Sequence, residues 1–443
     1  MTEAVQGPWG QRSTASAVAA AEMAARNNPP AAPPPAGGGA VQIGFSGRGG
    51  PLFGLLFKGF FLQLVTLGIY RFWLTTDIRR FYWSNTAVGS EAFTYTGTGM
   101  ELLKGFLFAL AILVPLQAFG FFLALGLPSA ESVVTIAVTF ILLFLGQYAV
   151  YASRRYRLAR TSWRGLRLRM TGSAWTYAIK AFGLWLLVIA TLGIAYPYAT
   201  TVVERIKMRE TFYGDAPGDF VGRPGELMRR LWPLWLIAIA VPIGLAAAVY
   251  ASAPPEAWAY MLSRIEPEAP ALPPHLAFLT VAVPGVLGAG ALIILLLVPA
   301  FQAITFRWRT GGMRLGGAAL SSDFRIGTAY RVYLVAMLIF SVLGTAAGIA
   351  ATLAAGGAYL AFGSSTTGLG VMLIIFVVVG YLALIGGFWM IKQIFLDLPM
   401  FRAKMNSVAV SNLASLDEVH ARNVDASALG EGLGSAVDFG IGL

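Results

Sequence analysis

The stretch Arg154-Arg155-Tyr156-Arg157-Leu158-Ala159-Arg160-Thr161-Ser162-Trp163-Arg164-Gly165-Leu166-Arg167-Leu168-Arg169 holds seven arginines and no acidic residue, directly after an apolar run from Val133 to Ala152. Basic loops beside spanning helices stay on the cytoplasmic side of a bilayer, so this segment orients the chain. Working outward, Phe106 to Leu127, Leu276 to Ala300 and Leu369 to Leu384 with its continuation are also long apolar runs, of the length that lipid rather than a soluble core accommodates. The whole chain of 443 residues is 57% hydrophobic and only 12% charged, which excludes an ordinary soluble class. Its formal charge of +11 sits in clusters at the ends of apolar runs, an orientation signal and not a nucleic-acid footprint.

Chemistry is narrowed by what is missing. There is no cysteine and there are two histidines, His275 and His420, far apart, so no thiolate or histidine metal centre and no cofactor is expected. No Ser-His-Asp or His-Glu-x-x-His constellation appears, and no carboxylate lies in the middle of an apolar run, which argues against an enzyme and against a pump built on intramembrane acids.

Thr66-Leu67-Gly68-Ile69 recurs as Thr191-Leu192-Gly193-Ile194. The same 125-residue shift places Gly47 on Gly172, Arg80 on Arg205, Gly89 on Gly214, Gly97 on Gly222 and Glu101-Leu102 on Glu226-Leu227. An ungapped register of this extent marks an internal duplication. A diverged third unit begins at Arg309-Thr310-Gly311-Gly312-Met313-Arg314-Leu315, which echoes Ser162-Trp163-Arg164-Gly165-Leu166-Arg167-Leu168.

Phe45-Ser46-Gly47, Leu64-Val65-Thr66-Leu67-Gly68-Ile69-Tyr70-Arg71-Phe72-Trp73, Arg79-Arg80-Phe81, Phe93 to Leu102 and Leu158 to Gly165 together resemble the bacterial YjgN-like family over about residues 41 to 410. The resemblance implies a multi-pass protein of the bacterial inner (plasma) membrane whose biochemical function is unassigned. It also implies a membrane-associated zinc metallopeptidase as a partner, and it brings no catalytic residues. The third unit departs from the family pattern, its aromatic and arginine-rich character diluted by Gly311, Gly312, Gly316 and Gly317.

Charge also sorts the apolar segments. With 153–172 inside, the turn at Pro128 to Glu131 and the loop with Glu256, Glu266 and Glu268 fall outside. If 175–198 crossed, Arg205, Lys207, Arg209, Arg223, Arg229 and Arg230 would become periplasmic; if it enters and returns, every basic loop lies inside. The same holds for 51–73, and the alternative is that both are tilted spans that break the charge rule. The expected fold is an all-α polytopic membrane protein. It has about six full transmembrane helices plus two re-entrant or interfacial helical hairpins in a duplicated unit, both termini cytoplasmic, and small cytoplasmic β-strand pairs. Residues 1–40 form a disordered Ala/Pro/Gly-rich tail. Residues 41–165 are repeat 1 (hairpin 51–86, spans 103–126 and 132–152) and 166–303 are repeat 2 (hairpin 175–212, spans 231–251 and 276–301). Residues 304–408 are the diverged unit (spans 330–355 and 369–394), and 409–443 form a flexible tail. Alternation predicts strands at Val41 to Phe45, Phe93 to Thr96, Leu166 to Met170 and Phe220-Val221.

Candidate sites follow from charge in unusual places. Arg154, Arg155, Arg157, Arg160 and Arg164 either hold anionic lipid headgroups or only set topology. Lys58 and Lys180 lie inside the two hairpins, as a buried site or as snorkelling side chains. Gly68 and Gly193 are where the hairpins turn, with Trp73 at interfacial depth after the first. Arg80 with Glu101, and Arg205 with Glu226, are candidate salt bridges within each repeat, the other reading of the two glutamates being helix-start chemistry. The functional expectation is lipid or small-solute handling or transport by a non-enzymatic protein. Its rival is a non-transporting scaffold or regulator that binds anionic lipid and a partner such as the metallopeptidase, and homo-oligomers remain open.

Overall fold

Alternating residues decide the first element: Val41, Ile43 and Phe45 point one way from strand β1 (Val41–Phe45). Further strands are β2 (Thr86–Val88), β3 (Glu91–Ala92), β4 (Thr94–Tyr95), β5 (Thr161–Trp163), β6 (Leu166–Met170), β7 (Thr211–Tyr213), β8 (Ala216–Phe220), β9 (Met313–Leu315), β10 (Ala318–Ser322) and β11 (Val408–Ser411). The structure is a computed structural model that describes residues 39–254, 256–257, 277–362, 380 and 386–420. The N-terminal tail to residue 38, residues 421–443, Glu266, Glu268, His275 and most of the expected span 369–394 lie outside the described residues.

The strands do not remain separate pairs, as the sequence reading has them. They form one antiparallel sheet in the order β3-β2-β1-β11-β10-β9-β8-β7-β6-β5-β4. Its two outermost members, β3 and β4, are the halves of one extended stretch broken at Phe93, so the sheet closes on itself like a barrel. Short isolated pairs would each leave unpaired backbone edges, and closure removes them. The fold is therefore mostly helical and membrane-embedded but not all-α.

Helices leave and return at one rim of this ring. Phe45 pairs with Thr86, Tyr95 with Thr161, Met170 with Thr211, Phe220 with Met313 and Ser322 with Val408, and a helical excursion separates the members of each couple. The tight turns at Gly89, Arg164-Gly165, Gly214 and Gly316 occupy the opposite rim. Three excursions are long. The first is α3 (Gly99–Gly126) with α4 (Glu131–Ala159), the second α7 (Pro224–Ser252) with α8 (Leu279–Gly312), and the third starts as α9 (Ile326–Phe362) and ends as α10 (Leu398–Met405). Among the described residues five helices, α3, α4, α7, α8 and α9, are long and apolar enough to cross a membrane.

Two excursions are short and match in length. Helices α1 (Gly49–Val65) and α2 (Arg71–Ser84) correspond at the 125-residue shift to α5 (Ala174–Ala190) and α6 (Tyr196–Arg209). Their turns share one chemistry. Thr66 Oγ1 donates to the Leu62 carbonyl at 2.7 Å and accepts from the Tyr70 amide at 3.0 Å; Thr191 makes the same bonds to Leu187 and Ala195 at 2.8 and 3.1 Å. The threonine thus latches the end of one helix to the start of the next. Gly68 (φ 88°) and Gly193 (φ 89°) take the left-handed conformation expected of them. Leu67 and Leu192 also have positive φ, a conformation that costs a side-chain-bearing residue about 1–2 kcal/mol.

The ring's interior is a hydrophobic cluster of Val88, Trp163, Tyr213, Ala216, Ala318 and Val410, filled from the far rim by Leu413, Leu416 and Val419. Residues 408–420 are thus a strand and a plug rather than the start of a flexible tail, because Val408 and Val410 alternate inward and the leucines that follow have a core to enter. The echo between Arg309 to Leu315 and Ser162 to Leu168 is likewise not a structural register: Arg309 to Gly312 end helix α8, and Gly316 takes the turn position that Arg164 holds.

Candidate functional site

The arginines in the last turns of α4 and just beyond it are tied to their own chain. Arg154 donates to Met208 Sδ at 3.6 Å and Arg155 to the Gly172 carbonyl at 3.4 Å. Arg160 donates to Glu101 Oε1 at 2.6 Å, Arg164 pairs with Asp417 of the plug and lies 4.4 Å over the Trp163 ring, and Arg157 also interacts within the chain. They brace the junction between helices and ring. Lys58 and Lys180 are exposed on the outward faces of α1 and α5, and Trp73 stacks on Tyr70.

Neither expected salt bridge forms. Arg80 pairs with Asp77 at 3.5 Å and donates to the Gly97 carbonyl at 3.0 Å, because the helix places Asp77 one turn away. Glu101 instead serves both readings given to it. It completes a capping box with Thr98 at the start of α3, and its carboxylate accepts from Arg160 and from the Tyr156 hydroxyl at 2.5 Å. Glu226 lies apart from Arg205, in a polar recess of about 360 Å³ with Arg230, Arg307 and Arg314.

A buried charge cluster escaped the sequence reading. Amphipathic α6 turns Thr200, Thr201, Val203 and Glu204 inward, leaving Glu204 2% exposed. Lys207 Nζ donates to Glu204 Oε1 at 2.7 Å, and Arg309 of α8 reaches the same oxygen at 3.3 Å. Burial alone would raise the Glu204 carboxyl, but Lys207, Arg309 and Arg154 hold it below its ordinary value. Burial pulls Lys207 down to about 8 against the attraction of Glu204. One ionised carboxylate shared by two cations is a structural keystone that ties α6 to α8. The signal was present in the repeat: the shift sets Glu204 on Arg79, which is also buried and donates to the Tyr95 hydroxyl at 3.1 Å. No group of three or more metal-capable side chains occurs among the described residues.

Above this cluster, the Gly193 turn leans on α7 and α8 and leaves an apolar cleft of about 320 Å³. Val188, Ile194, Leu231, Trp235, Leu297 and Phe301 line it, and Trp235 Nε1 donates to the Leu192 carbonyl at 3.0 Å, joining turn to wall. A cleft of this size with so little polar lining suits a hydrocarbon chain better than a charged solute.

The model of a family described as bacterial protein of unknown function (DUF898) matches residues 40–436. A curated relative named inner membrane protein YjgN, from Salmonella typhimurium, is 33% identical over 70 residues, covering 16% of this chain and 18% of the relative's own length. No solved structure matches.

Proposed function

Since the chain belongs to the DUF898 family of bacterial proteins, we propose that it is a non-enzymatic, multi-pass inner-membrane protein that handles lipid or a comparable apolar solute. The observation that carries this reading is the apolar cleft beside the Gly193 turn. In this arrangement six helices cross, the sixth within 369–394, while the two short hairpins of a duplicated unit dip in and return. A 17-residue helix such as α1 is about 25 Å long, short of a hydrocarbon core of about 30 Å. Its return arm carries Arg71, Asp77, Arg79 and Arg80, which favour the interface. The ring and both termini then face the cytoplasm, in accord with the arginines at its rim. The name of the Salmonella relative supports the inner membrane.

The test is photo-cross-linking in nanodiscs with a phospholipid bearing its reactive group on the acyl chain. Labelling concentrates on 188–197, 228–238 and 294–301, and Ala238→Trp, which fills the cleft, suppresses it. Labelling spread evenly over all lipid-facing helices, unchanged in the variant, refutes the reading.

A scaffold is the second reading, and the filled ring favours it: a lumen packed with Trp163, Tyr213 and Leu416 offers a surface for presentation and no passage. The metallopeptidase and anionic lipid are the partners it requires. Stoichiometric copurification of the peptidase, with an empty cleft, would select it.

A further inference from the structure

Between the two arms of the last helical excursion, just above the ring, lies a cleft of about 680 Å³. Its chemistry changes with height. At the rim stands Asp323, whose amide donates to the Ser407 carbonyl at 3.1 Å, with Arg325 beside it. Arg331 of α9 and Arg402 of α10 face the cleft higher up, one from each wall. Arg402 is braced by donating to the Gly47 carbonyl at 2.6 Å, while Arg331 and the Asp323 carboxylate have no partner among the described residues. One turn further along α9 comes Val335, opposed by Phe395 on a π-helical turn, Gln393–Asp397, a distortion often found at functional sites.

Apolar surface, then a pair of guanidiniums, then a carboxylate is the order of acyl chain, phosphate and ammonium in an ethanolamine phospholipid. A guanidinium matches a phosphate with charge-assisted hydrogen bonds, and the carboxylate at the rim gives the ammonium a partner. We propose that this cleft is a phospholipid site: the phosphodiester sits between Arg331 and Arg402, the acyl chain rises along Val335 and Phe395, and Asp323 receives the ammonium. The residues and walls differ from those of the cleft beside Gly193, so either site can fail without the other.

The test uses the full chain, delipidated in detergent and incubated with phosphatidylethanolamine, phosphatidylglycerol or inorganic phosphate, with bound molecules counted by native mass spectrometry. One phosphatidylethanolamine per chain is expected to persist. Arg331→Gln weakens retention about tenfold, and Arg331→Lys, which keeps the charge, restores part of it. Asp323→Asn shifts the preference toward phosphatidylglycerol. Arg307→Gln, the same charge change in the separate recess, leaves retention unchanged. Equal retention by wild type and by both folded Arg331 variants overturns the proposal. So does displacement of the lipid by millimolar inorganic phosphate with no dependence on the headgroup, which assigns the cleft to a soluble anion.

Discussion

Replacing Glu204 by Gln keeps the shape of the buried cluster on α6 and removes its only negative charge. The Lys207–Glu204 pair is sealed, with side chains 13% and 2% exposed, and Arg309 shares the same oxygen. Removing one partner of such a pair strands the other charge, at a cost of about 3–5 kcal/mol. The loss depends on pH with a definite sign. Lys207 titrates at about 8 in the folded chain and at about 10.4 when unfolded, so between these values the unfolded state binds more protons and stability rises with pH. Below about 8 both states hold the proton and this group adds no slope. Without Glu204 the folded value falls further, because the attraction that raised it is gone. Glu204→Gln is therefore most damaging near pH 6 and least near pH 9, and Lys207→Met removes the alkaline rise. Thermal unfolding of the detergent-purified protein, followed by tryptophan fluorescence from pH 6 to 10, reads both effects. A Glu204→Gln melting curve that coincides with wild type across that range would refute the keystone role.

Thr66→Val and Thr191→Val each remove the latch at a short hairpin, and each is expected to cost about 1–2 kcal/mol in the same assay, the two turns responding alike. Gly99→Ala places a Cβ 2.8 Å from Trp73 Cα; a backbone neighbour cannot swing away, so a loss of about 1–3 kcal/mol is expected, measured as a lower midpoint in thermal melting. Leu416→Ala opens a hole in the ring interior and should cost about 2–5 kcal/mol, with a matching shift in the emission of nearby Trp163.

Local chemistry made part of this legible. Apolar runs announced the membrane helices, the repeated Thr-Leu-Gly-Ile located both turns, and alternation found β1, β4 and β6 within a residue or two. The closed ring was not readable, because closure depends on which strands meet across hundreds of residues: β1 pairs with β11, Val41 opposite Val410, and nothing near either strand encodes that partner. The salt bridges failed for a related reason. Arg80 and Glu101 are close in sequence, yet helix α2 gives Arg80 a nearer acid in Asp77, while α4 brings Arg160 to Glu101. Glu204 was overlooked because Arg205, Lys207 and Arg209 directly after it read as one basic cytoplasmic stretch, whereas the amphipathic face of α6 turns it inward.

In the proposed topology every helical excursion starts and ends on one side of the bilayer and the short ones do not cross. The native chain has no cysteine, so single replacements report directly. Cysteines at exposed Ser90 and Asp215, on the far rim of the ring, should resist an impermeant maleimide in intact cells and react in inverted vesicles. A cysteine at Ser129, between α3 and α4, should do the reverse, and cysteines at the turn tips Leu67 and Leu192 should stay unreactive from outside. Labelling of Leu67 or Leu192 together with Ser129 in intact cells, or of Ser90 and Asp215 from opposite sides, would rule this topology out.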